Sequence, residues 1–292
     1  MVRLRLTATL AALLVGGCTT GSAAPQPSVS ASPETTVDEA LAAKVPEAIR
    51  ADGVIVVGTD PTFVPAQFVD ADGRTIVGFD VDLFKAVAAK LGLTAEFRTA
   101  ALAEIAPGLA TGAFEAGASS FLVSPQRKAQ ALMVSYFKAG TQWAIAAGNP
   151  AGVALDAPCG KRIVAQVGTA QWDDAKARAD GCLAAKQAQV TITPVENRDQ
   201  AVLAVTGGRA DALVTESPAA GYLVRQSNGR LVLLGDVLKP ALYGFVVGKN
   251  QPAFAEAIRG AVKALITEGT YGRILERWGV QAGAIPEPAV NP

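Results

Sequence analysis

From Asp38 onward, short apolar runs rich in β-branched residues alternate with segments in which apolar side chains recur every three or four positions. Val54-Ile55-Val56-Val57-Gly58 is a continuous apolar run of strand length ended by glycine, the pattern of a buried strand. Asp80 to Leu91 has helical spacing, with Phe84, Val87, Ala88 and Leu91 on one face. A short helix is predicted over Ile105 to Thr111. Lys161 to Gln166 reads as a strand entering a Gly-Thr turn, followed by a helix from Trp172 to Ala185. Asp199 to Thr206 is a predicted helix and Ala210 to Thr215 a strand. Two further helices, Gln251 to Glu268 and Tyr271 to Trp278, follow. Strands alternating with helices of this length predict an α/β architecture with mostly parallel sheets, in which ligands bind beyond the carboxyl ends of strands.

The first residues follow a different rule. Arg3 and Arg5 precede an apolar run from Leu6 to Val15, then small residues and Cys18. Such a run spans about 15 Å of helix, half a bilayer core, which marks a signal segment rather than a membrane span. Leu14-Val15-Gly16-Gly17-Cys18 resembles a bacterial lipobox, which implies cleavage of residues 1–17, acylation of Cys18 and an extracytoplasmic, membrane-anchored product. Residues 18–37, rich in Ser, Thr, Ala and Pro, cannot bury enough apolar surface to offset chain entropy and are expected to be a disordered tether.

Composition narrows the chemistry. With 26 basic and 26 acidic side chains there is no basic excess to support nucleic-acid binding. Removal of the leader takes Arg3 and Arg5, leaving 24 basic against 26 acidic groups, a net of −2. The absence of histidine excludes Ser-His-Asp and Cys-His catalysis and any imidazole-ligated metal. No metal or cofactor is expected. With Cys18 committed to lipid, Cys159 and Cys182 form an even pair in an exported chain, and a disulfide is the simplest pairing. The alternative, a reactive thiol, needs an activating neighbour that the sequence does not offer.

Four strand ends carry the candidate chemistry. Gly58-Thr59-Asp60-Pro61-Thr62-Phe63 places a carboxylate and a ring at a strand mouth; the same residues could equally be a turn and a core side chain. Ser119-Ser120-Phe121-Leu122-Val123-Ser124-Pro125-Gln126-Arg127 has an N-cap and first-turn signal at Ser124-Pro125, which puts Arg127 in the first helical turn. A cation there opposes the helix dipole and calls for an anion, which a ligand carboxylate would supply. Gln166-Val167-Gly168-Thr169-Ala170 offers turn N–H groups, and the strand ending at Thr215 delivers Glu216 to its mouth.

Taken in order, VGTDPTFVP, DADGRTIVGFDVDLFKAVAAKLG, SPQR, QVGTAQ, GGRADALVTE and EGTYGRILERWG resemble the family 3 extracellular solute-binding proteins, the polar amino-acid receptors of ABC importers, from about Val54 to Val280. The resemblance implies a type II periplasmic-binding fold. Lobe 1 would hold residues 38–139 and 240–280 and lobe 2 residues 140–239, joined by two hinge crossings, with 281–292 as a C-terminal tail. It further implies a monomer that captures an amino acid and hands it to a permease. Arg127 would clamp the ligand α-carboxylate, assisted by Ser119, Ser120 and the backbone around Thr169 and Ala170. Glu216 would take the α-ammonium, Phe63 would stack on the ligand, and Asp60 would face its side chain, favouring a cationic or amide-bearing group. Leu102 stands where the family often has a second wall, and Gln166 where a lobe 2 side chain reaches the ligand. Asp80 and Asp82 would cap and orient their helix.

Leu122 replaces the usual Ser or Thr of the family's segment, Ala170 a common second Thr, and Glu216 the commoner Asp; Ala66 stands where an aromatic is frequent and is expected to loosen the pocket wall. Each lost hydrogen bond to a charged group costs about 1.5–3 kcal/mol, against about 8 kcal/mol in a micromolar complex. Two other functions share the fold: a lipid-anchored receptor for a signalling partner, and a cyclic-acid dehydratase, for which no paired general acid and base is evident.

Overall fold

A computed structural model describes residues 36–292 except 168, 196 and 197; the leader, Cys18 and nearly all of the tether lie outside the described residues. In chain order the elements are α1 (Glu39–Ala42), α2 (Glu47–Arg50), β1 (Val54–Thr59), β2 (Thr62–Phe63), β3 (Gln67–Val69), β4 (Ile76–Val77), α3 (Phe79–Lys90), β5 (Thr94–Thr99), α4 (Leu102–Thr111), β6 (Ala116–Leu122), α5 (Pro125–Gln130) and β7 (Leu132–Ala146). The second half adds β8 (Arg162–Gln166), α6 (Ala170–Ala184), β9 (Thr191–Val195), α7 (Arg198–Thr206), β10 (Ala212–Glu216), α8 (Ser217–Gln226), β11 (Leu231–Val247), α9 (Pro252–Thr267) and α10 (Thr270–Trp278).

The principal sheet has the order β5-β1-β6-β11-β7-β10-β8-β9. Its outer pairs are parallel: β1 with β5 and β6, and β8 with β9 and β10. The centre is not. The long strands β7 and β11 run antiparallel to each other and to their other neighbours, which confines the expected parallel pairing to the outer strands. Neither long strand carries a periodic signal. Most of β7 is buried, so its apolar residues do not alternate with polar ones. β11 contains Gly235 and Pro240, residues that normally punctuate strands.

These two strands join the two lobes of a type II periplasmic-binding fold. On one side, α3, α9 and α10 cover the β1 end of the sheet, with Phe84, Phe245, Phe254 and Leu275 in the core; the Tyr136 and Phe245 rings stack with centroids 3.8 Å apart. On the other, the β8 end of the sheet carries separate cores built on Trp143, Ile163 and Val214 and on Val164, Leu213 and Leu231. Between them the β7–β11 pairing loses register from Leu234 to Ala241, and Lys239 takes a left-handed φ of 49°. Gly140 passes so close to β11 that a Cβ there would meet the Leu238 carbonyl oxygen at 2.4 Å. Glycine is what lets the two crossings lie against each other at this point.

Cys159 and Cys182 form a disulfide with Cα atoms 5.6 Å apart, linking α6 to the segment before β8. After α10 the chain returns to β7: Ser135 Oγ accepts from Ala289 N–H, and Met133 N–H donates to Asn291 Oδ1.

Candidate functional site

The strand mouths converge as parallel α/β units require. At the end of β1, Asp60 is held from three directions. Its backbone N–H donates to Ser119 Oγ at 3.0 Å, Thr62 Oγ donates to its Oδ1 at 2.8 Å, and Leu102 N–H, at the start of α4, donates to its Oδ2 at 3.2 Å. This carboxylate therefore fixes the start of α4 and also lines the cavity. Phe63, on the short β2, packs partly on the lobe core and partly on the cavity.

The end of β6 forms the floor. Ser119 is buried, and its hydroxyl also accepts from Gln67 Nε2 at 3.2 Å. Ser120 takes a left-handed φ of 49°. Its N–H and hydroxyl both donate to Asp80 Oδ2, at 2.7 and 2.9 Å. The Asp80 side chain thus reaches across to β6; the N-cap of α3 is Gly78, with no side-chain cap. That corrects the expectation that Asp80 caps its own helix. Asp82 accepts from Trp278 Nε1 at 2.9 Å, binding α3 to α10. Gly78 is required where it stands: φ is 138° and a Cβ would meet the Ala66 carbonyl oxygen at 2.1 Å. Ala66 is fully buried and is not among the residues that line the cavity.

Ser124 is the N-cap of α5 and Pro125 its first residue, as the sequence predicts, and Ser124 Oγ accepts from Arg127 N–H. The Arg127 guanidinium lies 5.6 Å from the centroid of the Phe121 ring and donates through Nη1 to the Leu122 carbonyl at 2.9 Å. Partial burial lowers its pKa from the ordinary guanidinium value. At the end of β10, Glu216 accepts from the Tyr243 hydroxyl at 2.5 Å.

These groups line a cavity of about 230 Å³. Asp60, Phe63, Leu102, Ser119 and Ser120 face it from one side, with Arg127 and Glu216. Thr62, Gln67, Leu122 and Tyr243 also line it. Leu122, marked in the sequence only as a missing hydroxyl, supplies apolar wall. Gln67 and Tyr243 escaped the sequence reading: Gln67 follows a buried alanine, and Tyr243 sits in a strand with no periodic signal. Gln166, Thr169 and Ala170 are not part of this lining. Thr169 is the N-cap of α6, accepting from Trp172 N–H and donating to the Gln166 carbonyl, and Ala170 is the first residue of that helix. Among the described residues no group of three or more Cys, Asp or Glu is placed to hold a metal, and no helix is long and apolar enough to cross a membrane.

One guanidinium and two carboxylates therefore share this cavity with hydroxyls, an amide and apolar side chains. That arrangement matches a small zwitterion carrying a further polar group.

Residues 55–281 match the profile of the bacterial extracellular solute-binding proteins, family 3. The arginine-binding protein ArgT of Corynebacterium glutamicum is 32% identical over 252 residues, covering 86% of this chain and 82% of that protein. Among solved structures, an ancestral cationic amino acid solute-binding protein superposes with a TM-score of 0.69 at 29% identity, covering 80% of this chain and 98% of the other. A polar amino acid ABC uptake transporter substrate-binding protein from Streptococcus thermophilus has the same fold, with a TM-score of 0.73 at 21% identity over 82% of this chain and 90% of that one. The chain belongs to the bacterial extracellular solute-binding proteins of family 3.

Proposed function

We propose that this chain captures a cationic or amide-bearing amino acid outside the cytoplasm and delivers it to the permease of an ABC importer, acting as a monomer held at the membrane by lipid on Cys18. The observation that carries the reading is the convergence of Arg127, Asp60 and Glu216 on one cavity of about 230 Å³. The names of the relatives support it: an arginine-binding protein and a cationic amino acid binder are both among them.

In this reading Arg127, with one N–H on the Leu122 carbonyl, turns its remaining donors to the ligand α-carboxylate. Glu216, oriented by Tyr243, takes the α-ammonium, and Asp60 faces the polar end of the side chain between Phe63 and Leu102. Lobe 1 comprises 38–139 and 240–280 and lobe 2 comprises 140–239, with 281–292 the tail that returns to β7. The crossings then fall at Gly140 and Lys239, where the pairing of β7 and β11 is irregular. Closure brings Gln166, Thr169 and Ala170 of lobe 2 onto the ligand, because contacts made by both lobes are what favour the closed state.

The experiment is a thermal-shift screen of the protein against amino acids and non-amino organic acids. Ligand at 100 times its Kd adds about 2.7 kcal/mol of stability, so arginine, lysine or glutamine should raise the melting temperature clearly. A protein stabilised by an organic acid and by no amino acid contradicts the reading.

A further inference from the structure

Asp80 is fully buried, yet among the described residues no ion pair includes it. Its Oδ2 receives both protons that Ser120 can offer. Ser120 needs that support. It is an L-residue in the left-handed region, at a point where the pairing of β6 with β11 slips between Gly244 and Val246. The groups facing Asp80 are polar but uncharged: Ser120 from β6, and Tyr136 from β7, whose phenol is pushed well above its ordinary pKa by burial and by the Asp80 charge, with Tyr243 of β11 acting in the same sense. Asp80 Oδ1 and the Tyr136 hydroxyl each lack a well-formed hydrogen bond, although the hydroxyl is near enough to favour the carboxylate.

The hydroxyl of Ser120 has one proton and two acceptors in reach, Asp80 Oδ2 at 2.9 Å and Gln67 Oε1 at 3.2 Å. An ionised Asp80 is the stronger acceptor and takes that proton, so Ser120 Oγ presents only lone pairs to the cavity. A protonated Asp80, whether its proton sits on Oδ1 towards Tyr136 or on Oδ2, is neutral and a weaker acceptor for the Ser120 hydroxyl. The Ser120 proton then turns to Gln67 or to the cavity, and the floor becomes a donor.

We propose that Asp80 is a positioning residue that acts through Ser120: its carboxylate makes the cavity floor a hydrogen-bond acceptor, selecting ligands that present N–H groups there, and its protonation weakens their binding. This rests on the amino-acid reading of the cavity. Burial, opposed by the hydrogen bonds from Tyr136 and Ser120, raises the carboxyl from 3.8 to about 7, which puts the change near neutral pH.

The test has two arms. L-arginine, whose guanidinium and carboxylate stay charged throughout and whose α-ammonium loses its proton only towards the alkaline end, is titrated calorimetrically into the wild type and Asp80→Asn from about pH 5.5 to about 7.5. Wild-type affinity should fall about tenfold towards the acid end, the scale of one charge-assisted hydrogen bond; Asp80→Asn should bind weakly and without that slope. In the second arm the Ser120 amide resonance of the ligand-free wild type is followed over the same range, and should titrate near neutrality. A Ser120 amide that does not titrate overturns the proposal, as does an Asp80→Asn protein with the wild-type slope. Arginine, lysine and glutamine all failing to bind at every pH while the Ser120 amide titrates supports the Asp80–Ser120 coupling and removes the amino-acid reading instead.

Discussion

The Tyr243 hydroxyl donates to Glu216 Oε1 at 2.5 Å, joining β11, one of the two strands that run through both lobes, to the carboxylate at the mouth of β10. Glu216 pairs through its backbone with Thr141 of β7, so the expected ammonium acceptor is tied to both long strands. In the proposed function, a ligand held by Glu216 is thereby connected to the two strands that join the lobes.

Tyr243→Phe keeps the buried ring and removes only that donor. A hydrogen bond to a carboxylate contributes about 1.5 kcal/mol or more, so the variant should be less stable by about that amount, with a lower urea midpoint and an unchanged slope. An unchanged midpoint would show that the bond contributes nothing.

Gly140 is the second prediction. A side chain there must displace the Leu238 carbonyl, 2.4 Å from where the Cβ would stand. Gly140→Val should cost about 1–3 kcal/mol, the range for forced overpacking. Circular dichroism melts against Gly181→Val, where a Cβ meets nothing within 4 Å and φ, as at Gly140, is not positive, isolate the steric clash. Equal losses in the two variants would remove the steric account of the crossing.

The third concerns stability and pH. The folded Asp80 carboxyl titrates at about 7, above its ordinary 3.8. Below the ordinary value both the folded and unfolded states hold the proton, and this group's stabilising contribution is fully present. As pH rises, the unfolded chain ionises first, and that stability is lost progressively until the folded pKa is passed. Asp80→Asn has no such group. Its unfolding free energy should therefore rise relative to wild type between about pH 4 and about pH 7 and hold constant above. A difference that stays flat across that window contradicts the buried, unpaired carboxyl.

Much of this molecule could be read from its residues. The strand β1 and the helices α3, α6, α9 and α10 follow from apolar runs and helical spacing, most plainly α9 and α10, which each bury one face against the core. The N-cap at Ser124 was legible because its chemistry is local. β7 and β11 were not, since their partners are distant in sequence and much of β7 is buried all round. The same distance hid Tyr243. Asp80 could be seen as a marked residue, but not that its carboxylate crosses to Ser120, 40 residues further on. Gly78, whose freedom permits that crossing, reads in sequence as an ordinary turn residue.

The central claim is that Arg127 anchors a ligand carboxylate opposite Asp60 and Glu216. Calorimetric titration of L-arginine into the wild type and Arg127→Ala tests it most directly. Arg127 is exposed enough that its loss leaves the core intact, and removing a bidentate charged contact weakens binding by about a hundredfold. Saturable one-to-one binding by the wild type, lost in a variant with an unchanged melting temperature, is the expected result. Equal affinities in the two proteins would take Arg127 out of the site and contradict the account.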